Sequence, residues 1–180
     1  MSGTPKRKPG RTPELVLTVQ YGTRCAELPS PARIRRWVRS ALRKSARVTL
    51  RVVGEREARE LNRSYRGRDY ATNVLTFVYS NSSPLEGDIA ICAPVVAREA
   101  REQGVSRDAH YAHLAVHGML HLQGWDHERE AAAKRMEKLE TRILADLGYA
   151  DPYRTTIQPA PQRRAPAAMR ANRSRKPARK

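Results

Sequence analysis

The histidines carry the strongest chemical signal in this sequence of 180 residues, because all five of them fall between positions 110 and 127. His117 and His121 are four residues apart, so on a helix both imidazoles project from one face about one turn apart. Gly124 follows, and its conformational freedom predicts a turn that brings His127 back towards the same point. Three neutral nitrogen ligands with an open fourth position are typical of a catalytic zinc site. We therefore predict one Zn²⁺ per chain on His117, His121 and His127.

The remaining histidines do not fit the same ion. The ends of a triad made of His113, His117 and His121 would lie about 12 Å apart along the helix axis. Zinc–nitrogen bonds are only about 2 Å long, so no single ion spans that triad. We therefore expect His110 and His113 to lie on the helix surface or to take part in packing.

The residue after the first predicted ligand bears on the class of hydrolase. Zinc peptidases of the H-E-x-x-H type have a glutamate there as general base. This chain has Gly118, which weakens a peptidase interpretation. Asp126 is a candidate for activating water, although we expect it instead to orient a ligand histidine.

An α/β (α+β) domain is predicted to position these residues. Four β-rich runs and about five helical runs indicate a single domain, in which a four-stranded mixed sheet packs with helices. Trp37 lies in an apolar helix stripe and Cys92 in an apolar strand, so both are expected to be buried. The stretch from 80 to 87 is predicted as a turn. The predicted strands are 15–21, 48–53, 72–79 and 88–93, and the predicted helices are 33–44, 55–65, 94–103, 108–122 and 128–147.

The positive charge is concentrated at the two ends of the chain. The sequence has 35 Lys and Arg against 18 Asp and Glu, a net charge of +17. All 18 acids lie within 14–153, where 22 basic residues leave only +4. Residues 1–13 and 154–180 have no acid and too few apolar residues to offset the entropy of ordering, so we predict two disordered tails. The tails either tether RNA or are merely solvated.

The excess charge favours a polyanionic partner, most simply nucleic acid. Positions 33–44 hold six basic residues and no acid. A charged face is ordinary for a surface helix, but this one equally fits an RNA backbone. We therefore take Arg36, Arg39 and Arg43 as candidate RNA-binding residues.

Composition also indicates a compartment. The sequence has no run of 18 apolar residues, so no membrane-spanning helix is expected. Two cysteines and a basic start without an apolar segment indicate free thiols in a reducing compartment. We expect a cytoplasmic protein.

Four stretches resemble, in order, the signature sequences of the YbeY endoribonucleases, which are bacterial rRNA maturation factors. The resemblance covers nearly all of 14–153 and leaves out both tails. It implies a zinc-dependent, single-strand-specific endoribonuclease of ribosome biogenesis that matures the 3′ end of small-subunit rRNA and contributes to ribosome quality control. The implied partners are rRNA and the ribosome or its proteins. The stretches are LNRSYRGRDYATNVLTF at 61–77, GDIAIC at 87–92, HGMLHLQGWDH at 117–127 and LGYADPY at 147–153.

The same resemblance implies zinc on the three histidines and a functional arginine at Arg66. Thr76 stands where many members have serine. Arg66 precedes Gly67 at a predicted helix end, where it could bind a phosphate bidentately or instead pair with Asp69. Two other functions stay open, a non-catalytic rRNA-binding assembly factor with a structural zinc and a zinc metallopeptidase.

Overall fold

A four-stranded mixed sheet organises residues 12–125 and 129–154, which are the residues that the computed structural model describes. The strand order is β1-β2-β4-β3, with β1, β2 and β4 parallel and β3 antiparallel to β4. This confirms the predicted fold class. The elements are β1 (Leu15–Tyr21), α1 (Pro31–Ala41), β2 (Ala46–Val53), α2 (Glu55–Arg66), β3 (Val74–Ser80), β4 (Leu85–Cys92), α3 (Ala93–Gln103), α4 (Arg107–Leu122) and α5 (Glu130–Leu147).

Two predicted boundaries were wrong for identifiable reasons. Strand β4 begins at Leu85, inside the stretch predicted as a turn, because Leu85 pairs with Ala46 of β2. Pairing with a central strand therefore overrides the local turn composition. Helix α1 ends at Ala41 rather than at 44, since the backbone N–H groups of Arg43 and Lys44 donate to Oε1 of Gln123 at 2.6 and 3.1 Å.

Helix α4 lies directly against the sheet. Gly118 makes this approach possible, because a Cβ at that position would lie 2.9 Å from Cγ2 of Ile89 and 3.2 Å from Oγ1 of Thr76. The helix that carries two predicted zinc ligands is thus fixed against β4 and the edge strand β3. Trp37 and Cys92 are each 1% exposed, as predicted, and burial raises the pKa of the Cys92 thiol.

Two predictions about the ends of the chain stay untested. The tails predicted at 1–13 and 154–180 lie almost wholly outside the described residues. The limits of the domain at 14 and 153 therefore remain a prediction. Within the described part of the chain, no helix is both long enough and apolar enough to cross a membrane.

A buried polar group anchors the first half of α4. His110 is only 5% exposed, and its Nε2 lies 2.7 Å from Oε2 of Glu99 on α3. The same oxygen accepts a hydrogen bond of 3.0 Å from Nδ2 of Asn73, just before β3. Burial lowers the pKa of His110, although Glu99 acts in the opposite direction. These contacts join α3 and α4 to the segment that leads into the edge strand β3.

We predict that His110 makes the fold acid-sensitive. A histidine with a lowered pKa binds fewer protons in the folded state, so stability falls as the pH drops below about 6.5. The free energy of unfolding, measured by urea titration in a chelator between pH 7 and 5, should fall more steeply for wild type than for His110→Gln. The difference in slope should not exceed about 1.4 kcal/mol per pH unit. Equal slopes for the two proteins would contradict this role.

Candidate metal centre

His117 and His121 lie on one face of α4, as their spacing predicted. Their Nε2 atoms are 3.1 Å apart. Two ligands that each lie about 2.0–2.1 Å from one zinc ion can be at most about 4.2 Å apart, so the pair fits a shared ion. Both residues are half-buried, which leaves an approach from solvent.

Glu140 of α5 orients His117. The carboxylate is fully buried, and its Oε1 lies 2.8 Å from Nδ1 of His117. An ionised carboxylate only accepts hydrogen bonds, so the imidazole of His117 donates through Nδ1. Its other ring nitrogen, Nε2, faces His121. Carboxylates commonly orient metal-binding histidines in this way. We expected Asp126 in this role, but Asp126 lies outside the described residues.

Two further side chains complete the surroundings of Glu140. The hydroxyl of Tyr153 donates to Oε2, and Nε2 of His113 lies 3.5 Å from the same oxygen and 3.3 Å from the hydroxyl. Burial alone raises the pKa of Glu140, but the hydrogen bonds from His113, His117 and Tyr153 outweigh it and lower the pKa to about 2. The carboxylate is therefore ionised. His113 belongs to this polar network and is more than a surface or packing residue.

These contacts create a second candidate set of metal ligands. Ligand atoms of His113, His117 and Glu140 all lie within 4.8 Å of one another, which is close enough to hold a metal ion. Both oxygens of Glu140, however, already accept hydrogen bonds from His117 and Tyr153, and the side chain has no access to solvent. This geometry suits a carboxylate that orients a ligand better than one that binds a metal accessible to substrate.

A turn follows α4 at Gly124, as the sequence predicted. Gly124 has a φ of +87°, a left-handed conformation that favours glycine. Nε2 of the buried Gln123 donates to the carbonyl oxygens of Ala41 and Met119 at 2.9 and 3.0 Å, so this turn is tied to the end of α1. His127 follows the turn but lies outside the described residues, so its place as third ligand remains a prediction.

Arg66 is the last residue of α2, and Gly67 ends the helix with a φ of +66°. The alternative pairing with Asp69 was wrong, because Asp69 instead accepts two hydrogen bonds from Arg59 at 2.8 and 2.6 Å. Among residues 12–125 and 129–154, Arg66 forms no salt bridge. Its guanidinium is exposed and is available to a phosphate.

The three candidate RNA-binding arginines, two in α1 and Arg43 just after it, are all exposed but differ in their contacts. Nη2 of Arg36 donates to the carbonyl oxygen of Leu147 at 3.4 Å. Nη1 of Arg43 donates to two carbonyl oxygens of its own helix end at 3.3 Å. No side-chain hydrogen bond of Arg39 occurs within the described ranges. All three keep guanidinium N–H groups that face solvent.

Similarity to known proteins decides the family. The sequence profile described as Endoribonuclease YbeY matches residues 26–148. A protein of that name from Aromatoleum aromaticum is 61% identical over 142 residues, which covers 77% of this chain and 92% of the relative. Another from Nitrosomonas europaea is 51% identical over 153 residues, covering 85% and 93%. The chain belongs to the Endoribonuclease YbeY family.

Among solved structures, the chain is similar to the solution structure of TM1509 from Thermotoga maritima. The TM-score is 0.49 and the sequence identity is 24%, over 77% of this chain and 99% of that one. Gly118 stands where H-E-x-x-H peptidases have their catalytic glutamate. Its Cβ position points at Ile89 and Thr76 in the sheet, so an acid at 118 could not serve the histidine pair.

The two candidate metal arrangements give different predictions for single substitutions. His121→Ala should abolish stoichiometric zinc binding, whereas His113→Ala should retain it. Glu140→Gln should keep a site but weaken zinc affinity about 10- to 100-fold, because the oriented ligand loses its anionic partner. Glu137→Gln, an exposed residue on the same helix, is the matched control. Affinity is measured by competition with a chromophoric chelator, and zinc loss in His113→Ala with retention in His121→Ala would favour the other arrangement.

Proposed function

We propose that the protein is a zinc-dependent, single-strand-specific endoribonuclease. It acts in the cytoplasm on rRNA during ribosome biogenesis, matures the 3′ end of small-subunit rRNA and contributes to ribosome quality control, with the ribosome or its proteins as partners. Membership of the Endoribonuclease YbeY family supports RNA as substrate. The convergence of the Nε2 atoms of His117 and His121 is the observation that carries the zinc dependence.

The metal would be held by His117, His121 and His127. When bound, zinc supplies a Lewis acid for the phosphoryl group of the substrate. Glu140 contributes by holding the Nδ1 proton of His117, which fixes the tautomer and the direction of the ring. The fully buried position of Glu140 keeps water from competing for that hydrogen bond.

Arg66 is proposed to bind the reacting phosphate. A guanidinium can donate two parallel hydrogen bonds to phosphate oxygens, and it stabilises the negative charge that grows as the phosphorus gains a fifth ligand. The contact between Tyr65 and Phe77 holds the last turn of α2 beside β3, at a ring-centroid distance of 4.7 Å. Thr76, the neighbour of Phe77, approaches Gly118 next to His117. Arg66 and the histidine pair therefore approach the same strand.

Arg36, Arg39 and Arg43 are proposed to bind the RNA backbone away from the reacting phosphate. Their exposure and the absence of acids from positions 33–44 support this. Phosphate contacts of this kind position an RNA without reading its sequence. The basic tails would add non-specific affinity of the same type.

Cleavage assays test the proposal directly. His121→Ala should lose metal-dependent cleavage of single-stranded RNA together with its zinc. Arg66→Ala should keep zinc and lose about 100-fold or more in kcat, as expected when a group that stabilises transition-state charge is removed. Arg56→Ala, an exposed arginine at the other end of the same helix, should cleave as wild type does.

Each alternative function has its own outcome in these assays. Cleavage by zinc-free His121→Ala at the wild-type rate would overturn the nuclease proposal and point to a contaminant. RNA binding without any metal-dependent cleavage would favour the assembly factor, and cleavage of casein would favour the peptidase. Purifying all variants in parallel keeps contamination equal among them.

The three candidate RNA-binding arginines should contribute to the salt dependence of RNA binding. Each lost phosphate contact with single-stranded RNA makes the plot of log affinity against log salt less steep by about 0.7. Replacing Arg36, Arg39 and Arg43 together by glutamine should therefore reduce the slope by about 2. Arg56→Gln serves as the control, and a slope equal to that of wild type in the triple variant would rule out this contact.

A further inference from the structure

Three aromatic rings form an exposed patch at the edge strand β3, and the proposed function does not yet use them. Tyr65 and Tyr79 are 67% and 65% exposed, and the half-buried Phe77 lies between them in the fold. The rings of Tyr65 and Phe77 are 4.7 Å apart with a tilt of 57°. Asp88 lies opposite Phe77 in the strand pairing, and its carboxylate accepts a hydrogen bond from Tyr79, so Phe77 and Tyr79 share a face although the register shifts between Val78 and Ser80. We call Tyr65, Phe77 and Tyr79 the β3 aromatic patch.

The patch is fixed in place before any ligand binds. The Tyr79 hydroxyl donates to Oδ2 of Asp88 on β4 at 2.9 Å. Burial, the carboxylate of Asp88 and the nearby Tyr65 raise the pKa of Tyr79 to about 12, so the ring is neutral under ordinary conditions. Phe77 supports the ring of Tyr65 from the strand. Ordered rings lose little entropy when a ligand stacks on them.

Two arginines are close neighbours of Tyr65 in α2. Arg63 and Arg66 lie in the last turn of α2 on either side of Tyr65 in the sequence, and both are exposed. In the described part of the chain neither forms a salt bridge, because Asp69 is engaged by Arg59. Exposed rings beside guanidinium groups are the combination by which proteins bind single-stranded nucleic acid. The charge thus complements a nucleic acid backbone.

The patch and the histidine pair lie on opposite faces of one strand. Phe77 faces the patch, whereas the preceding Thr76 faces α4 at Gly118, beside His117. Strand β3 ends the sheet and is paired with β4 on one side alone among the described residues. A flexible chain can therefore pass round this edge from the histidines to the aromatic rings.

We propose that the β3 aromatic patch stacks an unpaired base of the single-stranded RNA next to the phosphate that is cleaved. The inference rests on the proposed function, because it places the scissile phosphate at the histidine pair. It adds a binding subsite whose specificity is for an unpaired base and not for a particular sequence. Arg63 and Arg66 bind the phosphates on either side of that base.

The test compares RNA affinity by fluorescence anisotropy, using the full-length protein in a chelator and a short labelled single-stranded RNA. Tyr65→Leu should weaken binding about 5- to 150-fold, the loss expected for one stacked base. Tyr65→Phe keeps the ring and should bind as wild type does. Tyr21→Leu removes an exposed tyrosine from the opposite edge of the sheet and is the surface control.

An RNA with abasic positions identifies the stacked partner. Wild type should bind this RNA more weakly than the intact one, whereas Tyr65→Leu should bind both alike. Equal affinity of Tyr65→Leu and wild type for intact RNA would overturn the proposal and favour a protein partner for the patch. An abasic effect that persists undiminished in Tyr65→Leu would overturn it too.

Failure of the patch and failure of the nuclease proposal are distinguishable. If His121→Ala cleaves as wild type does but binding still depends on the Tyr65 ring, the nuclease proposal fails and the subsite remains as a binding site. If His121→Ala loses cleavage but Tyr65→Leu keeps full affinity, the subsite alone fails. Thermal unfolding of Tyr65→Leu should match that of Tyr65→Phe, so that lost binding is not lost folding.

Discussion

The buried charge of Glu140 is the constraint on which the site depends. A carboxylate without access to solvent is tolerated only with good partners, and here these come from α4 and from the segment after α5. Removing one partner of a buried charge typically costs about 3–5 kcal/mol. The same hydrogen bonds that stabilise the ionised Glu140 therefore dock α5 on α4 and orient the ring of His117. Stability and metal geometry are coupled through one side chain.

A second constraint comes from the close approach of α4 to the sheet. Gly118 removes the side chain that would otherwise collide with Ile89 and Thr76, and this brings the histidine helix against the edge strand. A longer side chain would move the helix outward and with it His117 and His121. Packing therefore requires a glycine at the position where H-E-x-x-H peptidases have a glutamate. The same glycine lets the histidines lie beside the edge strand β3.

The sequence analysis predicted what depends on local pattern. Helical spacing predicted that His117 and His121 converge, and hydrophobic periodicity predicted the helices and strands within a few residues. The role of Glu140 was not predicted, because the partners of an acid on the apolar face of an amphipathic helix are known only once the helices pack. Gln123 was not predicted for the same reason, since three of its four hydrogen bonds join it to Ala41, Arg43 and Lys44, some 80 positions earlier in the chain.

The edge position of β3 would also explain the single-strand specificity that we propose. In the proposed arrangement, the phosphate lies at the histidines on one face of β3 and the flanking base lies on the rings of Tyr65 and Phe77 on the other face. A double helix is stiff over lengths far greater than the thickness of a strand, so it cannot turn round this edge without a large bending cost. A single strand can, and its unpaired base has a face to stack. In this proposal, selection for single-stranded RNA follows from the topology of the sheet. The protein does not have to recognise the nucleotide sequence.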